Sequence, residues 1–153
     1  MLFWTVFPIL AGVLGVLVMN FILREERLFH LPALHFISRL GFVFGKESGS
    51  KVGLRILHFL IGIAFAYLYL ALFKTVPGFR NPGVFMIIMM FGFIGIVHGV
   101  LSMMFMVVAT DERMPIRPEG NFEPAEMISY ILAYLGYGAT VGLVIGIASK
   151  FFS

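Results

Sequence analysis

Two histidines, His58 and His98, stand inside long apolar runs, where imidazole is the side chain best suited to ligate a cofactor or hand on a proton. Paired imidazoles on neighbouring helices hold haem in many helical bundles, and a single one can ligate the magnesium of a chlorophyll-type pigment. Whether these two can act together depends on the elements that carry them.

His98 lies in residues 81–110, NPGVFMIIMMFGFIGIVHGVLSMMFMVVAT, an uncharged run longer than the roughly 20 residues a spanning helix needs. Gly92, Gly95 and Gly99 give that helix a smooth stripe for close packing, with His98 beside it. His58 lies in an apolar run over 53–73, flanked by Arg55 and Lys74, both long enough to snorkel to water. His58, Gly62 and Ala66 follow at i, i+4 and i+8, share one face, and should meet another helix there. The connection TVPGFRNPG holds two proline-glycine breakers, which makes the two spans antiparallel neighbours in a hairpin. In that hairpin His58 is about 5 residues and His98 about 12 residues from the same end, a difference of roughly 10 Å along straight helices. A haem shared between them is therefore disfavoured, and ligation by His98 or His58 singly is the alternative that stays open. The plainer expectation is that each imidazole hydrogen-bonds a neighbouring helix, with Ser102, four residues after His98, as its nearest polar neighbour. A proton relay would need an acid at membrane depth, and none of the expected spans contains one.

The composition sets the solvent. The 153 residues are 60% hydrophobic and 12% charged with mean hydropathy +1.00, which points to a single integral membrane domain over 1–153. There is room for four spans, expected at about 2–23, 53–73, 83–109 and 125–149, and none for a separate soluble catalytic domain. The net charge of +3 fits topology signals and contact with the lipid bilayer better than nucleic acid, which is not expected as a partner. The absence of cysteine excludes disulfides, thiolate metal sites and thiol redox chemistry.

The first run carries Trp4 as an interfacial anchor and Ala11, Gly12 and Gly15 as a close-packing patch. It lacks a basic leader region and a small-residue cleavage site, so it is expected to be retained as a span. After the charged step at residues 24–27, Leu34, Ile37, Leu40 and Phe44 recur at helical spacing over 32–45, a stretch too short to cross. This predicts a short interfacial helix between the first two spans. Tyr67 and Tyr69 fall near the far end of the second span and suggest an interfacial aromatic belt. Pro115, Pro118 and Pro124 keep residues 111–124 out of a continuous helix, and the acids there, mixed with Arg113 and Arg117, form a solvated loop, so no metal site is expected. The last span carries Gly138, Gly142 and Gly146, a glycine-zipper pattern, together with Tyr130, Tyr134 and Tyr137 on roughly one side, placed either to anchor the interface or to hydrogen-bond inside the bundle. The methionines of the third span circle the helix, as soft packing groups do.

With four spans, eight of the eleven basic residues, Arg24, Arg27, Arg39, Lys46, Lys51, Arg55, Arg113 and Arg117, fall on the side of the first and third connections. Lys74, Arg80 and Lys150 fall on the other. The positive-inside rule then places both termini on the non-cytoplasmic side.

ILAGVLGVLVMN in the first run, LRILHFLIGIAFAYLYLALF in the second, and the glycine-rich third and fourth runs resemble a group of small, largely uncharacterised four-span bacterial inner-membrane proteins. In that group the second span opens with a similar His-x-x-x-Gly step, here His58 to Gly62. The resemblance implies the same architecture and brings no activity with it.

The expected fold is an all-α membrane protein, four transmembrane helices in an up-down bundle plus the short interfacial helix. No phosphate loop, catalytic triad or HExxH pattern is present, so no enzyme activity is expected. Glycine stripes on several helices suggest other membrane subunits as partners. The expected function is a non-catalytic accessory subunit of a bacterial energy-converting complex, respiratory or photosynthetic. The alternatives are a protein binding haem or a chlorophyll-type pigment, and a small transporter or channel.

Overall fold

The computed structural model describes residues 2–24, 51–75, 82–111 and 124–152. Among them the chain forms four helices and no strand: α1 (Leu2–Arg24), α2 (Lys51–Thr75), α3 (Val84–Asp111) and α4 (Pro124–Phe152). Each contains a stretch long and apolar enough to cross a membrane, at Thr5–Arg24, Val52–Thr75, Val84–Met106 and Pro124–Phe151. The chain is an all-helical, multi-pass membrane protein. The interfacial helix expected over 32–45, and most of the 111–124 loop, lie outside the described residues; Asp111 itself closes α3.

These helices form because their apolar runs must satisfy every backbone group internally once in hydrocarbon. α1 continues through Pro8, whose ring is fully buried. α4 opens on Pro124, which suits a first helical position, with Glu126 in the first turn where the helix dipole favours an acid.

α4 is the central element. Half of its span is buried within the chain, against 28% for α2 and for α3. Its backbone packs closely against α3 and α1, and α1 against α2. Contacts fix the register: Gly12 lies on Ile63, and the Tyr67 hydroxyl donates to the Thr5 carbonyl at 2.7 Å, so numbers rise along α1 as they fall along α2. On the other seam Gly99 lies on Tyr134, Gly142 on Ile87 and Gly146 on Val84, again in opposite directions.

α2 and α3 meet differently, through rings. Tyr69 stands edge-on to Phe91 at 5.6 Å and Phe73 to Phe91 at 5.9 Å, while Phe65 lies against His98 at 3.7 Å. This corrects the reading of Tyr69 as part of an interfacial belt. It is 1% exposed and belongs to the interior, because the α2 face that carries it turns toward α3 and α4; Tyr67, two residues away, remains exposed.

Candidate functional site

The glycines come first, because they set how near the backbones lie. A Cβ at Gly138 would run into the Phe91 carbonyl, and one at Gly95 into the Tyr134 carbonyl. An added Cβ would come within 2.9 Å of Ile87 at Gly142 and within 3.1 Å of Val84 at Gly146, and Gly92 meets Leu135, also at 3.1 Å. On the α1 side, Gly62 lies under Val16 with buried Ala66 one turn on. Each helix glycine singled out in the sequence therefore faces another helix of this same chain.

Tyr137 occupies the point where the four helices converge. Its ring covers Gly15 of α1, stands edge-on to Tyr69 of α2 at 5.8 Å and to His98 of α3 at 6.3 Å. Its hydroxyl donates to the Gly62 carbonyl at 2.5 Å. A polar group in hydrocarbon needs such a partner, and in membranes a bond of this kind contributes about 0.6 kcal/mol on average.

Beyond Tyr137, on the side of α2's N-terminus and α3's C-terminus, the helices spread around a cavity of about 380 Å³. All four contribute to its wall: Val16 and Met19 from α1, His58 and Phe65 from α2, His98, Ser102 and Met106 from α3, Tyr134 and Tyr137 from α4. Leu101 and Phe105 also line it and are 60% and 62% exposed, so the cavity reaches the outer surface of α3. Its volume falls in the range of about 300–1,000 Å³ usual for small-molecule sites, and its wall is apolar with a few polar groups.

Both histidines thus share one chamber without sharing one point. Since Phe65 lies against His98, His58, seven residues earlier, lies about 10 Å further along the helix axis. The two rings therefore reach the chamber from different depths, the offset expected from helix geometry. His58 is 5% exposed, with Phe59 beside it at 6.4 Å.

His98 is held more tightly. Phe65 covers it at 3.7 Å, Tyr134 meets it edge-on at 4.7 Å, and its Nδ1 is 3.1 Å from the Tyr69 hydroxyl. The expected neighbour Ser102 lines the same cavity, and the hydrogen-bond partner of His98 comes from α2, not from its own helix. The Tyr69 hydroxyl is buried, and among the described residues His98 is its hydrogen-bond partner. The contact pairs one hydroxyl with one ring nitrogen, so one hydrogen of the pair stays outside it whichever way the bond runs; in the arrangement where Tyr69 donates, Nδ1 accepts. The neutral ring then carries its hydrogen on Nε2 and offers the chamber a donor. In that tautomer the lone pair of the ring is on Nδ1, facing Tyr69.

Among the described residues no three His, Cys, Asp or Glu side chains come together as a metal cluster would require. The sequence signals missed Phe65 and Tyr69 as parts of this site, while Tyr137 takes the hydrogen bond inside the bundle that was one of the two roles read for the tyrosines of the last span. In comparisons with known proteins, no family model, no curated protein and no solved structure matches the chain.

Proposed function

We propose that this chain is a non-catalytic membrane subunit of a larger bacterial energy-converting complex, and that its own contribution is an intramembrane site for a lipid-soluble small molecule. The cavity walled by His58, His98, Ser102 and Tyr134 is the observation that carries the site. Its wall holds a hydroxyl already engaged with the Gly62 carbonyl and an imidazole engaged with Tyr69, a set suited to holding a guest in place. Its confinement to one half of the molecule, with glycine-packed backbones in the other, supports holding over conducting.

In this reading the four helices form an up-down bundle in the inner membrane, joined by an interfacial helix over 32–45, with both termini on the non-cytoplasmic side. The opposed numbering along each contacting pair and the placement of basic residues support it. The glycine stripes no longer argue for an outside partner, since they are used within the chain. The broad outer faces of α2 and α3, with Phe85, Phe93 and Leu60 exposed, are the surfaces that would meet other subunits.

Uptake of an apolar fluorophore by the protein in lipid nanodiscs tests the site. Saturable binding at one molecule per chain, lost when Ile61→Trp fills the cavity, is the expected result. Partitioning that never saturates and is equal in both proteins would refute it. Migration on a native gel at the mass of one chain plus detergent, from mildly solubilised native membranes, would refute the larger complex.

A further inference from the structure

Building on the small-molecule site, we propose that its guest is a quinone: a flat lipid-soluble ring whose carbonyl oxygen accepts a hydrogen bond from His98 Nε2–H. Three observations select that chemistry. The ring is oriented before any guest arrives, because Tyr69 engages Nδ1 while Phe65 and Tyr134 pack against the ring, and with Tyr69 as donor the hydrogen sits on Nε2. A guest must therefore bring an acceptor, and an acceptor in hydrocarbon that costs little to desolvate is a carbonyl.

The walls select a flat partner. Phe65, Tyr134 and Tyr137 present rings to the space beside His98, and aromatic faces and edges pack best against another ring. The mouth selects a lipid-soluble one. Leu101 and Phe105 belong both to the cavity wall and to the outer face of α3, so a hydrocarbon tail can run from the ring into the bilayer without leaving apolar surroundings. Among the described residues no charged side chain lines the cavity, so the wall they form favours an uncharged guest. The proposal concerns binding and orientation, with no electron transfer assigned to this chain.

The test uses the full chain in phosphatidylcholine nanodiscs and decylubiquinone labelled with carbon-13 at one ring carbonyl, read by equilibrium binding and by infrared spectroscopy. Wild type should bind saturably and shift one labelled carbonyl band to lower frequency, as a hydrogen-bonded carbonyl does. His98→Leu should weaken binding about tenfold and abolish the shifted band, the loss of one hydrogen bond. His98→Gln, which keeps an N–H near the Nε2 position, should recover most of the affinity and the shift, and guards against a variant that merely misfolds. Leu101→Trp, which narrows the mouth, should also weaken binding. Equal affinity in wild type and His98→Leu, or an unshifted carbonyl in the bound wild type, would overturn the quinone assignment. Decylbenzene separates the two claims: if it binds as tightly as the quinone, the apolar site stands and the quinone falls. If neither binds, the site itself falls, and with it both readings.

Discussion

The two halves of this molecule are built from the same four helices and differ in what fills the space between them. In the half bearing Gly138, Gly142 and Gly146, backbones approach until a single methyl would collide with a carbonyl. In the half bearing His58, Ser102 and Phe105, side chains as large as tyrosine and phenylalanine keep the helices apart and a cavity remains. Close backbone contact gives dispersion energy and a fixed register without polar groups, whereas ring contacts fix orientation and leave room. A rigid seam adjoining an open chamber lets the molecule hold shape and guest with different residues. Substitutions in the two halves should therefore fail in different ways.

The largest effect is expected in the seam. Gly138→Leu should cost about 3 kcal/mol or prevent assembly, as overpacking does in a close-packed interior, measured by denaturant unfolding in detergent. Gly53→Leu, where an added Cβ meets nothing within 4 Å, should stay within about 0.5 kcal/mol of wild type. Equal losses at both positions would mean that the seam is not where the helices are pinned. In the chamber, Tyr69→Phe should cost about 1 kcal/mol and release His98 from its single tautomer. Nitrogen-15 NMR of the labelled ring reads this directly, and a wild-type spectrum with the hydrogen on Nδ1 would reverse the donor assignment. Tyr137→Phe removes the proton shared with the Gly62 carbonyl and should cost about 0.6 kcal/mol, with no change in oligomeric state. Smallest of all, Leu101→Ala at the rim should leave stability within about 0.5 kcal/mol while widening access to the cavity.

How much of this was visible in the chain alone follows from the same contrast. Small residues announce themselves: Gly95, Gly99, Gly138 and Gly142 are legible as packing positions because few other reasons place glycines in a spanning helix. The span limits were legible as well, since length and hydropathy fix them, and α1 to α4 begin and end within a few residues of the expected runs. Which helix each stripe would face was not. Apart from its glycines α3 is apolar all round, so its sequence marks a packing side without saying which helix will lie there. The chamber was half legible: His58 and His98 stood out by type, and their offset in depth followed from helix geometry. Tyr69 was misplaced because a tyrosine near the end of a span has two good homes, the interface and a polar partner inside. The choice depends on the rotation of α2 against α3, which no local spacing encodes. The partner of His98 lies on a neighbouring helix, as the plain expectation had it, but it is Tyr69, and not the Ser102 that stood nearest in sequence.

The central place of α4 bears on the order in which the molecule can be made. Chains enter the membrane from the N-terminal end, so α1, α2 and α3 are inserted while α4 is still being synthesised. During that interval Gly95 and Gly99 have lipid where Tyr134 will lie, Gly15 has no ring above it, and the Gly62 carbonyl has not met its hydroxyl. α1 and α2 can already join through Gly12 and the Tyr67 latch, which makes them a stable first pair. α3 is the helix left waiting, held to that pair by a few rings. A nascent chain halted before residue 124 would thus be a two-helix hairpin with a loosely attached third helix, open along a groove the width of one helix, and exposed there to whatever quality control scans the bilayer for unfinished proteins.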